Sequence, residues 1–187
     1  MDFLSLLKSR HSIKDYKDEI VPKEKIKNIF ESITLSPSYK NLQNFKAILI
    51  NDINIKEKIE KVISDNNSAK KGFIEAPLSI VVAVQKDVNK EYNDNRYYML
   101  DGAIVMYNIL LSATSENLGS CWIEVENEKE FKSILNIPEN YKVIGLTPIG
   151  YHQRPVGYIK EDPYIIDKKN ILDVSYENTW DNNISYF

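Results

Sequence analysis

A mixed fold in which helices cover a central sheet is predicted by three features of the sequence. Residues 78–84, Leu-Ser-Ile-Val-Val-Ala-Val, form a nearly unbroken apolar run suited to a strand buried on both faces. Residues 97–118 are apolar almost all the way round a helix, which marks a core helix rather than a surface one. Strand-like and helix-like segments alternate along the chain, the pattern of an α/β or α+β layer arrangement. The 187 residues suffice for one domain with a substantial core. No internal repeat, low-complexity tract or linker divides them, so residues 1–187 are read as a single domain.

Asp2 can cap a short helix whose Phe3, Leu6 and Leu7 share a face, and the basic segment Lys8-Ser9-Arg10-His11-Ser12-Ile13-Lys14 follows. A second helix is predicted from Pro22, with Ile26, Ile29, Phe30 and Ile33 at helical spacing, ending before a polar loop at residues 36–41. Phe45 to Ile50 reads as a strand and Ile53 to Ile63 as an amphipathic helix. Pro77 introduces the buried strand, which belongs at the centre of the sheet. The apolar helix from Tyr97 should pack under that sheet and stop at Gly119, a natural left-handed cap. Residues 121–123 suggest a short strand or turn, Lys129 to Leu135 a short helix, and Val143 to Tyr151 a last central strand. Residues 160–187 carry Tyr164, Ile171, Tyr176 and Trp180 without a long amphipathic element, so this tail needs a surface to pack on.

Composition removes several functions. A net charge of -3 gives no electrostatic reason to expect nucleic acid. One cysteine, Cys121, excludes an intramolecular disulfide framework, and with only His11 and His152 beside it a Cys/His metal centre is not expected. The N-terminus lacks a long apolar run and does not read as a signal peptide, and the uncharged stretch 102–115 is too short to span a bilayer, so a cytoplasmic location is expected. The six glycines are isolated, and neither a P-loop nor a Gly-x-Gly-x-x-Gly fingerprint occurs.

Three segments could carry chemistry. In an extended chain alternate side chains point the same way, so Arg10, Ser12 and Lys14 could converge on one anion, a phosphate above all. The competing reading is a solvated basic turn, the ordinary state of Lys and Arg. The loop Ser36-Pro37-Ser38-Tyr39-Lys40-Asn41-Leu42-Gln43-Asn44-Phe45 is dense in amides and hydroxyls suited to the edge of a heteroaromatic ring, or to capping its own backbone. Gly119-Ser120-Cys121-Trp122-Ile123-Glu124 and Thr147-Pro148-Ile149-Gly150-Tyr151 read as strand ends, with Trp122 as core packing. No base stands beside Cys121, so a catalytic thiol is disfavoured.

Taken in order, these segments resemble the nitroreductase family of flavin mononucleotide (FMN) proteins. Ser9-Arg10-His11-Ser12-Ile13-Lys14 resembles the family's Arg-Arg-Ser-x-Arg segment, and residues 36–45 resemble its Ala-Pro-Ser-x-x-Asn-x-Gln-Pro-Trp loop. The apolar helix with Asn117-Leu118-Gly119-Ser120-Cys121-Trp122-Ile123 is similar to its core helix and Gly-Leu-Gly-x-x-x-Trp-Ile, and Pro148-Ile149-Gly150-Tyr151 to its Leu-Gly-Tyr strand end. Departures are Val125 where Gly is common, Asn44 and Phe45 for Pro and Trp, and Lys168-Lys169 for a motif that often holds Arg.

The resemblance implies an α+β, mostly antiparallel sheet flanked by helices, in a homodimer whose 160–187 arms embrace the opposite subunit. It implies FMN bound between subunits. Arg10 and Ser12 would hold the phosphate, with His11 beside them and Lys14 at the pyrimidine edge. Pro37, Ser38, Tyr39, Asn41 and Gln43 would come from the loop of the partner. Trp122, Ile123 and Glu124 would lie near the reactive side of the ring, and Lys168 or Lys169 would reach the phosphate. The implied activity is reduction of nitroaromatic, quinone or similar small acceptors with NADPH or NADH by ping-pong hydride transfer, with no protein nucleophile. Dehalogenation, flavin fragmentation or ring-forming oxidation on the same fold, and a flavin-binding or sensing protein with little turnover, are the alternatives.

Overall fold

The computed structural model describes residues 2–86, 97–153 and 168–184. Helix α1 (Phe3–Ser9) is capped by Asp2, whose carboxylate accepts from the Ser5 N–H. It leads through the basic segment to α2 (Lys23–Thr34), which places Ile29 and Ile33 in the core. Then follow β1 (Phe45–Ile50), α3 (Ile53–Glu60), α4 (Lys70–Glu75), β2 (Leu78–Gln85), α5 (Tyr97–Ser115), β3 (Gly119–Ser120), α6 (Glu128–Leu135) and β4 (Tyr141–Gly150). The short helix α4 has no counterpart in the sequence reading, and α3 ends at Glu60 rather than Ile63.

The four strands form one antiparallel sheet in the order β1-β2-β4-β3. Strand β2 is central, as its apolar run predicts. Ile80, Val82 and Val84 face one core with α2 and α5, while Val81 and Ala83 face a second core beneath α3, α4 and α6. Both faces being covered, alternation of polar residues has no place in β2. Strand β4 carries a bulge: Val82 pairs with Gly145 and Ala83 with Val143, leaving Ile144 extra.

Two expectations are corrected. The left-handed residue that ends α5 is Asn117 (φ 59), not Gly119, with Leu118 N–H bonded to Ala113 O in a Schellman closure. Gly119 instead opens β3, where an added Cβ would sit 2.8 Å from the Ile13 side chain. Helix α5 is also only half a core helix. Val105, Met106 and Ile109 are buried under the sheet, but Leu100, Ile104 and Tyr107, one stripe at i, i+4, i+7, are 58%, 37% and 43% exposed. A helix apolar on all sides needs two covers, and the described residues provide one.

One buried charge is structural. Lys56 on α3, 3% exposed, donates to the carbonyls of Ile74 (2.9 Å) and Ala76, which end α4. Burial lowers its pKa from 10.5 to about 8. Between these values the unfolded chain binds the proton more tightly, so the contribution of Lys56 to stability rises as pH increases from 8 towards 10.5. Urea unfolding at pH 8 and pH 10 is expected to show wild type gaining on Lys56→Met by on the order of 1–3 kcal/mol; a pH-independent difference would show that the ammonium is not strained by burial.

Candidate functional site

The basic segment is pinned to the free edge of the sheet. Ser12 forms a parallel bridge with Ser120, and the Ile13 N–H donates to Ser120 O at 2.9 Å. From the other side α4 closes in, because Gly72 lies so near the Lys14 backbone that a Cβ would be 2.3 Å from the Lys14 carbonyl oxygen. This clamp holds residues 10–14 on an extended path at the edge of the sheet. Burial pushes the Cys121 thiol above its ordinary pKa, while Lys14, a hydrogen bond from Ser12, and Arg10 all act on it in the opposite sense. Ser12 is within hydrogen-bonding reach of the thiol, and both cations lie near enough for their charge to be felt there. Among the described residues neither Arg10 nor Lys14 has an acidic partner; Lys14 Nζ donates to the neutral Ser68 Oγ at 2.6 Å. Ser120 Oγ is buried there without a hydrogen-bond partner. His11, half-buried, lies in the same segment.

The loop at residues 36–44 is held at the opposite end of α5. Asp101, 4% exposed, accepts the Tyr39 N–H at 2.8 Å, and the Tyr39 ring stacks on Tyr97 with centroids 4.6 Å apart. Asn108 Nδ2 donates to Ser36 Oγ at 2.8 Å. Within the loop Ser38 Oγ accepts the Gln43 N–H at 3.0 Å, and the Gln43 amide donates to Asn41 Oδ1 at 3.1 Å, so these side chains do cap their own loop. Pro37, Asn41 and Gln43 remain exposed. Lys40, Asn41 and Gln43 all have positive φ (48, 56 and 47°), a costly conformation for residues with a Cβ. The buried Asp101 and the aromatic stack supply the restraint that such a loop requires.

The segment after β3 forms a cleft. Ile123 is buried and bridges Leu146 through two hydrogen bonds of 2.8 and 3.1 Å, so neither its side chain nor its backbone N–H and C=O faces outward unpaired. Trp122 and Glu124 point to the outside instead. The Trp122 indole is 40% exposed and donates to Ile144 O at 3.3 Å, lying so close over Gly145 that a Cβ there would be 2.3 Å from Nε1. With Met99, Ala103, Glu124, Val125, Lys142, Val143 and Ile144 it lines a cleft of about 370 Å³. Trp122 is thus a wall and not the core residue that the sequence suggested. Burial alone would raise the Glu128 carboxyl nearby, but hydrogen bonds from Lys142, the Val143 N–H and Lys132 hold it below its usual value.

Lys168 and Lys169 are exposed, ahead of a 3₁₀ turn at Ile171–Asp173 capped by Asn170. Most of the first half of the tail, residues 160–167, lies outside the described residues, as do residues 185–187. Sequence reasoning missed Ser68, Gly72, Asp101 and Gly145. Asp101 was the legible one: it is the sole charge in the apolar run of residues 97–115, and a charge there must be partnered.

Comparison with known proteins agrees with this frame. The model of the nitroreductase family matches residues 7–72 and 64–151. The chain belongs to the nitroreductase family. Among solved structures it is similar to a nitroreductase family protein from Clostridium novyi NT, with a TM-score of 0.78 and 29% identity over 98% of this chain and 97% of that one. It is also similar to an FMN-dependent nitroreductase from Clostridium difficile (TM-score 0.74, 28% identity, 90% and 99% covered). A Methanothermobacter thermautotrophicus protein provisionally named NADH dehydrogenase/NAD(P)H nitroreductase is 29% identical over 155 residues, 81% of this chain and 78% of its own.

The Asp101 anchor is open to test. Asp101→Leu is expected to free the loop, so that trypsin cuts after Lys40 at least several-fold faster than in wild type, while Asp101→Asn, which keeps an acceptor, stays close to wild type. Equal cutting of all three proteins would show that the loop holds its shape without Asp101.

Proposed function

We propose that this chain is an FMN-dependent oxidoreductase that reduces nitroaromatic, quinone or similar small acceptors with NADPH or NADH, and that it works as a homodimer. The convergence of Arg10, Ser12 and Lys14 carries the reading. Two cations without acidic partners among the described residues and a hydroxyl, near the buried Ser120 Oγ, suit a phosphate-bearing group, so the residues present fit FMN. The family and the FMN-dependent relative support the same cofactor.

Assembly follows from distance. The basic segment lies beyond the C-terminal end of α5, and the amide-rich loop is anchored to Asp101 near its start. Asp101 and Ser115 are about 21 Å apart along the helix at roughly 1.5 Å per residue, a separation that favours drawing the amide-rich loop from a second copy of the chain. Two chains paired antiparallel along the exposed Leu100, Ile104 and Tyr107 stripe would place Pro37, Ser38, Tyr39, Asn41 and Gln43 of one beside Arg10 to Lys14 of the other. Exposed Phe3, Leu4, Leu35 and Trp180 are further apolar surface for the second subunit to cover, and the 160–187 arm is proposed to exchange across it.

FMN, when bound, supplies the redox chemistry; the chain orients it and shapes its surroundings. Arg10 and Ser12 bind the phosphate, and His11, Lys168 and Lys169 lie at its margin. Lys14 would supply a positive charge near the pyrimidine edge, which would favour the reduced form through preorganised electrostatics. Trp122 and Met99 keep water from the cleft, where donor and acceptor take turns beside Glu124.

The purified protein is expected to be yellow and to have twice the chain mass in solution, by visible absorbance and light scattering. Anaerobic NADPH or NADH should bleach it rapidly; a yellow protein that neither nucleotide bleaches would instead be a flavin-binding or sensing protein with little turnover. Lys14→Met should lower the flavin midpoint potential, and an unchanged potential would remove Lys14 from this role. Colourless protein that takes up no added FMN would overturn the proposal.

A further inference from the structure

The cleft beside Trp122 has an unbalanced charge, and that charge has a consequence for what the cleft accepts. Its walls are Trp122, Met99, Ala103 and Ile144, flat or apolar surfaces matched to a planar ring. Two ionic groups reach it, Glu124 and Lys142. Lys142 does not offset Glu124, because its ammonium is hydrogen-bonded to Glu128, whose carboxylate also receives Lys132 at 3.2 Å. Lys132 lies 3.7 Å from Glu139 in turn, so the group Glu128, Lys132, Glu139 and Lys142 is neutral as a whole. Glu124 is exposed and has no ion-pair partner among the described residues. It is also within reach of the basic end of the site: it stands three positions after Cys121, a span of at most about 11 Å.

We propose that Glu124 makes this cleft discriminate by charge, favouring neutral or cationic planar acceptors over anionic ones of the same shape. The inference rests on the oxidoreductase reading above, and it names the acceptor class of that site. Positive charge in the site is gathered around Arg10 and Lys14, which hold the cofactor; at the acceptor end the uncompensated charge is negative. An acceptor carboxylate would meet Glu124 at short range in a partly dehydrated cleft, a repulsion that salt screens only in part.

The test uses the FMN-loaded protein reduced with dithionite, which bypasses any question of the nucleotide donor. Reoxidation is followed by stopped flow with 4-nitrobenzoate, 4-nitrobenzyl alcohol and (4-nitrobenzyl)trimethylammonium at low ionic strength. The ratio of cationic to anionic acceptor rate constants is expected to fall on the order of three- to tenfold in Glu124→Gln, as for unit charges about 7 Å apart in partly screened surroundings. It should fall further in Glu124→Lys, and raising salt should shrink the wild-type ratio but leave that of Glu124→Gln nearly unchanged. A ratio that is the same in all three proteins overturns the proposal while leaving the flavoprotein reading intact. Failure of that reading shows itself separately, as protein that binds no FMN or as reduced protein that no acceptor reoxidises.

Discussion

The site depends on the clamp that holds residues 10–14 against the sheet edge. Backbone pairing of the basic segment with Ser120 on one side and the bare Cα of Gly72 on the other fixes an extended path, and an extended path puts every second side chain on one face. Were that segment helical or loose, Arg10, Ser12 and Lys14 would point in different directions and their charges would be solvated separately. The clamp is assembled from parts distant in sequence: α4, which packs on the second core, and β3, which exists only because α5 has ended correctly. Local geometry at the basic segment is therefore an outcome of the whole fold.

A second theme is that strain and restraint are paired. Three consecutive-neighbourhood residues with positive φ, Lys40, Asn41 and Gln43, are held by one buried carboxylate and one aromatic stack. The bulge at Ile144 is likewise matched by Trp122 lying across Gly145. In both places a local conformation that the chain would not choose is fixed by a contact made from another element, and both border the surfaces that the proposed chemistry uses.

Much of the layer arrangement was legible in the sequence because burial on two faces leaves a mark that one-face burial does not. The run in β2 announced a central strand, which the sheet order bears out. What could not be read was anything decided by close approach between distant segments. Gly72 and Gly145 look like ordinary isolated glycines until Lys14 and Trp122 are seen against them. Gly119 looked like a helix cap, yet Asn117 tolerates the left-handed region well enough to take that position. Trp122 was read as core because large aromatics usually are, and Ile144, whose carbonyl holds the indole, gave no sign of being an extra residue. Helix α5 misled in a different way: its sequence records burial on both sides, but the described residues leave the stripe of Leu100, Ile104 and Tyr107 exposed.

The extra residue in β4 also shifts the phase of that strand. Before it, Tyr141 and Val143 face the second core; after it, Leu146 does, while Ile149 turns to the first. Odd positions thus exchange faces with even ones at a single point. Losing one residue well away from the bulge would invert the side chains beyond the gap, whereas losing Ile144 would keep the remaining core residues facing their own layers while removing the bend and the packing of Ile144 on the first core. The point at which the strand could lose a residue and keep its layers is thus also the point at which it holds the indole.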